Sequence, residues 1–127
     1  MLPLQPMGWL GKLLGGERVV PHSVKTRADF EDLTSDGRPT VLYVWGESCG
    51  PCKRMSQEVV AAATKHVGRV QFAEMSTSAD HGILSELAIR ATPTVIVFDG
   101  SNEVGRVTGF RPAGWFDEMI QTEFPDL

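Results

Sequence analysis

One continuous apolar run, Thr40–Gly46 (TVLYVWG), shows no polar alternation. A strand that is apolar at nearly every position must be covered on both faces, so this run calls for a sheet between two layers of helix. The segment that follows, GPCKRMSQEVVAAATKHVG from Gly50 to Gly68, spaces Met55, Val59, Val60 and Ala63 as an inward helical stripe, with Gly68 as its stop. At the junction of this strand and helix lie the only two cysteines of the chain, Cys49 and Cys52.

The rest of the pattern fits the same sandwich. VVPHSV (19–24) reads as a short strand, and TRADFEDLTSDG as a helix capped by Thr26, with Phe30 and Leu33 inward and Gly37 past its end. Arg38-Pro39 reads as a connector. RVQFAEMS is a further strand, and DHGILSELAI a helix with Ile83, Leu84 and Leu87 on one side. TPTVIVFD and EVGRVTGF form a hairpin turned by Gly100-Ser101-Asn102, and PAGWFDEMIQTEF closes the chain as an amphipathic helix, with Trp115, Phe116, Met119 and Ile120 available for packing. The order β-α-β-α-β-α-β-β-α gives an α/β fold, a central mixed sheet with helices on both faces. The histidines at 66 and 81 read as solvated or capping side chains rather than as catalytic groups.

Residues 1–18 form an N-terminal extension ahead of a domain spanning 19–127. Its first part, MLPLQPMGWLGKLLGG, is broken by Pro3, Pro6, Gly8 and Gly11 and fits a secretory signal poorly. Trp9, Leu10, Leu13 and Leu14 are spaced for a short amphipathic helical turn. No run reaches the roughly 18 to 20 apolar residues of a transmembrane helix. A chain of 127 residues with 42% hydrophobic and 22% charged residues can bury a core without a staple, and a net charge of −4 gives no footprint for nucleic acid.

Three readings of the cysteine pair follow from residue chemistry: a redox couple, half of a metal site, or two inert core thiols. A structural zinc site wants four ligands, and His22, His66 and His81 show no ligand-like spacing to the pair. A redox couple needs one thiol acidified from its usual pKa of about 8.5, and a helix start does this through unpaired N–H groups and the helix dipole. Cys49 sits at such a start, Pro51 suits an early helical position that needs no donor, and Lys53 and Arg54 add positive charge. Cys52, one turn further in, is placed to attack a mixed disulfide formed on Cys49.

At this point the chain resembles the thioredoxin family. Trp45-Gly46-Glu47-Ser48-Cys49-Gly50-Pro51-Cys52-Lys53 stands where that family has Trp-Ala-Glu-Trp-Cys-Gly-Pro-Cys-Lys, and RATPT matches the segment holding its cis proline, here Thr92-Pro93. Gly109 matches a glycine near the active-site surface. The resemblance implies a thioredoxin fold and a thiol–disulfide oxidoreductase, Cys49 the nucleophile and Cys52 the resolver, with no bound cofactor and no metal. It implies an active-site loop of Trp45, Ser48, Gly50, Pro51 and Lys53. It implies also that the Thr92 backbone pairs with an extended substrate, beside Pro93 and Gly109. The partners expected are disulfide-containing protein substrates and a thioredoxin-reductase-type electron donor, and the protein is expected to be a cytoplasmic monomer. A disulfide oxidase or isomerase, and a thioredoxin-fold binding or chaperone-like module, are the rival readings.

Three positions depart from the family pattern. Ser48 replaces a tryptophan, Tyr43 stands in place of a buried aspartate, and Glu74 in place of the lysine often paired with it. Tyrosine, with a reference pKa of about 10, is a poor base at neutral pH, so Glu74 becomes the candidate base for Cys52.

Overall fold

The computed structural model describes residues 18–127. Its elements are β1 (His22–Ser23), α1 (Arg27–Ser35), β2 (Pro39–Trp45), α2 (Gly50–Lys65), β3 (Gln71–Ser76), α3 (His81–Glu86), β4 (Thr94–Asp99), β5 (Asn102–Thr108) and α4 (Ala113–Glu123). The helical turn expected around Trp9–Leu14 lies outside the described residues.

The strands form one sheet in the order β1-β3-β2-β4-β5. β2 runs parallel to β3 and antiparallel to β4, and so occupies the centre. Its apolar run is covered as the sequence requires: Leu42 and Val44 face one core, Val41 and Tyr43 the other. The first core is closed by Phe30 and Leu33 of α1 with Ile83 of α3. The second is closed by Met55, Val59, Ala62 and Ala63 of α2 with Phe116 and Ile120 of α4. Side chains alternate across a strand, so this division fixes which face each β2 and β3 residue presents. Helix α2 therefore lies on the face shared by Tyr43, Trp45 and Phe72.

Local chemistry sets the boundaries. Thr26 and Asp29 make a reciprocal capping box at the start of α1. The first strand is shorter than VVPHSV: Val19 sends its N–H to Thr64 Oγ1, Pro21 has none to give, and only His22 and Ser23 pair with β3. Pro39 opens β2 opposite Asp99 instead of connecting to it, as a proline can at the first position of a strand. The hairpin turn is Gly100-Ser101, because Asn102 already pairs with Asp99; Gly100 has φ +64°, a conformation suited to glycine. Helix α3 stops at Glu86 and Ala88 takes φ +55° immediately after it, earlier than the apolar pattern implied. In α2, Ala62 joins the buried stripe while Val60 is half-buried.

His66 is the C-cap of α2, but its ring is buried at 4% exposure rather than solvated. Arg69 donates to His66 Nδ1 at 2.9 Å, which makes Nδ1 an acceptor and leaves Nε2–H to donate to Asp117 Oδ1 at 2.6 Å. Lys65 reaches the other carboxylate oxygen of Asp117 at 2.8 Å. This cluster ties the end of α2 to α4.

Candidate active site

The loop from Gly46 to Cys49 leaves the C-terminal end of β2 and enters α2, with Cys49 as N-cap (φ −105°, ψ 107°) and no side-chain cap. Gly50 and Pro51 occupy the first helical positions, where a missing N–H is harmless. Cys49 and Cys52 are joined as a disulfide, their Cα atoms 5.3 Å apart. The two sulfurs sit in unequal surroundings: Cys49 is half-buried beside exposed Ser48 and Gly50, whereas Cys52 is 3% exposed in the core. Lys53 and Arg54 are exposed on the first turn, and the Arg54 guanidinium lies 4.3 Å over the Phe110 ring.

Two further loops meet this helix start. The Thr92–Pro93 bond is cis, and the Pro93 carbonyl accepts the Gly109 N–H at 2.8 Å. Gly109 has φ +100°, a conformation L side chains rarely adopt, so the turn out of β5 can close on Pro93. Thr92 lies against Gly46: a Cβ at Gly46 would stand 3.1 Å from Thr92 Oγ1. The Thr77 N–H donates to the Trp45 carbonyl at 2.9 Å and brings the end of β3 alongside.

Beneath the disulfide, Tyr43 donates through Oη to the Cys52 carbonyl at 2.8 Å and lies 3.0 Å from Ser56 Oγ, which also reaches that carbonyl. Burial pushes the Tyr43 phenol above its usual value and the charge of Glu74 adds to the effect, against an opposing influence of Ser56. Glu74 is half-buried; its Oε1 accepts the indole N–H of Trp45 at 2.5 Å and its Oε2 accepts the Ser23 hydroxyl. Of the residues singled out in the sequence, Ser48, Cys49, Gly50, Pro51 and Thr92 line one cavity, Gly109 is tied to Pro93, and Glu74 and Tyr43 are register partners on the sheet face that α2 covers.

Other residues join the site without having been expected there. Glu47, Thr77 and Ser78 line a cavity of about 580 Å³ together with Ser48, Cys49 and Thr92. Glu47 could have been noticed from its place in the loop, but Thr77 and Ser78 arrive from β3 and are distant in sequence. A helix start favours negative charge at its N-cap, the position Cys49 holds, and Cys52 one turn on closes a disulfide with it. Among the described residues no cluster of three or more histidine, cysteine or acidic residues is arranged to hold a metal ion.

Comparison with known proteins agrees with this geometry. The family model described as Thioredoxin matches residues 21–122. A thioredoxin of Alicyclobacillus acidocaldarius is 26% identical over 102 residues, covering 80% of this chain and 93% of its own. The bifunctional thioredoxin reductase/thioredoxin of Mycobacterium leprae is 26% identical over 82 residues, which are 65% of this chain and 18% of that one. Among solved structures, Malassezia sympodialis thioredoxin matches with a TM-score of 0.74 at 22% identity, covering 83% of this chain and 91% of that one, a likeness of fold.

Proposed function

This chain belongs to the thioredoxin family of thiol–disulfide oxidoreductases, and from that premise we propose that it acts as a protein-disulfide reductase, with Cys49 as nucleophile and Cys52 as resolver. In the reduced protein the Cys49 thiolate attacks one sulfur of a substrate disulfide. A new S–S bond forms on Cys49, and the other substrate sulfur leaves as a thiolate that takes up a proton. Cys52 loses its proton and attacks the Cys49 sulfur; the Cys49–Cys52 bond forms, and the substrate departs with its second thiol. Two electrons have passed to the substrate, and a dithiol donor returns them to the protein. No bound cofactor enters the cycle.

The observation that carries this reading is the inequality of the two sulfurs, Cys49 half-buried at a helix N-cap and Cys52 buried one turn in. Trp45 at the end of β2, Ser48 in the loop, and Gly50, Pro51 and Lys53 on the first turn of α2 are the residues we assign to the surroundings of the nucleophile. The Thr92 backbone, next to Pro93 and Gly109, pairs with an extended substrate segment, a mode that tolerates many side chains. Glu74 is the carboxylate we assign to accepting the Cys52 proton. We expect residues 1–16 to be dispensable for catalysis, because the redox motif and the elements of the fold begin after them. The two activities joined in the name of the Mycobacterium leprae relative support a thioredoxin-reductase-type donor, and we place the protein as a cytoplasmic monomer. Among the described residues no helix is long and apolar enough to cross a membrane.

Reduction of a protein disulfide, driven by a small dithiol, tests the reading. Wild type is expected to accelerate it and Cys49→Ser to return it to the uncatalysed rate. Equal activity in both would remove the enzymatic reading and leave a binding module. Equilibration with a glutathione buffer then separates reductase from oxidase: a reductase lies near the roughly −270 mV of thioredoxin, a strong oxidant near roughly −120 mV.

A further inference from the structure

The cavity beside Cys49 has a mainly polar lining. Ser48, Thr77, Ser78 and Thr92 supply four hydroxyl-bearing side chains, and Glu47 is the one charged residue among them. Ser78 Oγ reaches Glu47 Oε2 at 3.4 Å, a long contact that leaves most of the carboxylate's accepting capacity open. Five ion pairs join described residues, and none includes Glu47. The nearby cations do not line the cavity: Lys53 and Arg54 belong to the first turn of α2, and Arg54 is engaged over Phe110. A carboxylate with no ion-pair partner among the described residues therefore stands in a hydroxyl-lined trough that opens onto the nucleophile.

One residue of the lining departs from the family pattern. The position after Glu47 carries serine where that pattern has tryptophan, and an indole there would place a large apolar surface beside Cys49. With Ser48 small and exposed, the trough instead offers hydrogen-bond acceptors and one negative charge. A lysine or arginine side chain matches this chemistry: it donates several hydrogen bonds, accepts none, and brings the opposite charge. An acidic side chain would meet Glu47 as a like charge.

We propose that the trough of Glu47, Ser48, Thr77 and Ser78 is a subsite for a basic side chain flanking the attacked half-cystine, so that the protein prefers disulfides in lysine- or arginine-bearing segments. The proposal rests on the reductase reading and adds a substrate class to it. The pairing is solvent-facing, so its effect is that of an exposed ion pair, roughly two- to fivefold in kcat/KM. Because the Debye length shrinks to about 3 Å at 1 M salt, the preference should fade there.

Three peptide disulfides identical except for lysine, glutamine or glutamate on both sides of the half-cystine provide the test. Wild type is expected to turn over the lysine peptide roughly two- to fivefold faster than the glutamine peptide, and the glutamate peptide most slowly, with the spread closing at high salt. Glu47→Gln should flatten the series, and Ser48→Trp, which fills the trough, should flatten it too. Glu31→Gln, an equal change in net charge on an exposed face of α1, should leave the spread intact. Turnover of all three peptides at one rate, or a spread unchanged in Glu47→Gln, would overturn the subsite while leaving the reductase reading standing. Failure of wild type to reduce any of them would overturn the reductase reading and the subsite with it.

Discussion

Tyr43 and Glu74 are register partners across the parallel β2–β3 pair, on the sheet face that α2 covers. The pair carries a neutral phenol and a carboxylate where the family pattern has an aspartate and a lysine. The two chemistries are separated in space by their hydrogen bonds. Tyr43 is committed upward to the Cys52 carbonyl and Ser56, and Glu74 to Trp45 and Ser23. Burial and the charge of Glu74 together keep the phenol protonated, so Tyr43 is no base near neutral pH.

The unequal exposure of the two sulfurs predicts an order of reaction. In reduced protein at mildly acidic pH, a limiting amount of an alkylating reagent should label Cys49 well before Cys52, since the former is half-buried at a helix start and the latter is 3% exposed. Mass spectrometry of the labelled peptides reads the ratio. Preferential labelling of Cys52 would reverse the assignment of nucleophile and resolver.

What could be read in the chain beforehand was whatever local pattern controls. The two-sided burial of Val41–Val44 and the placing of Cys49 at a helix start follow from apolar runs and turn residues. The cis bond before Pro93 came from resemblance alone, because nothing local distinguishes that proline from a trans one. Pairing across the fold was hidden. His66 looked like a surface residue because Asp117, the partner that makes its burial tolerable, is 51 positions away. The trough beside Cys49 depends on Thr77 and Ser78, which only the β2–β3 register brings to the loop. Element ends escaped periodicity for local reasons: Pro21 has no N–H for the ladder, and the Ala88 and Ile89 N–H groups turn back to the Ser85 and Leu84 carbonyls at the end of α3.

Asp117 holds the ends of α2 and α4 together through His66 and Lys65, and Asp117→Ala would leave the buried Nε2–H of His66 without its acceptor. The expected cost is about 1 to 3 kcal/mol at neutral pH, most of it from the buried donor and little from the exposed lysine pair. Lys65 first, and His66 after it, hold the Asp117 carboxyl below its usual value. A carboxyl lowered in the folded state stabilises above its unfolded value, near 4, and loses that contribution as pH falls through the folded value. The gap between wild type and Asp117→Ala in urea midpoints should therefore narrow below about pH 4; a constant gap from pH 7 to pH 3 would contradict this.

Tyr43→Phe removes one of two side-chain donors to the Cys52 carbonyl while Ser56 keeps the other. A loss of about 0.5 to 1.5 kcal/mol is expected at neutral pH. The phenol is raised above its usual value, chiefly by burial, so folding favours its neutral form. That stabilisation is complete below the unfolded value of about 10 and is lost as pH rises through the folded value. Wild type should thus lose stability above about pH 10 more steeply than Tyr43→Phe, and parallel curves in alkaline unfolding would show that the phenol stays exposed.

The release step is where Glu74 should matter most, because Cys52 must surrender a proton before it can attack the mixed disulfide on Cys49. Glu74 lies on the face covered by the Cys52 helix, and its bonds to Trp45 and Ser23 leave accepting capacity on the carboxylate. Glutamine at this position keeps an oxygen for the Trp45 indole but cannot take a proton at neutral pH. If Glu74 is the base, Glu74→Gln should slow resolution by roughly tenfold or more and accumulate the mixed disulfide, measured by acid quench and mass spectrometry. Tyr43→Phe should change the rate far less. A normal rate in Glu74→Gln, with slowing only in Glu74→Ala, would instead make Glu74 the residue that holds Trp45, and water the acceptor of the Cys52 proton.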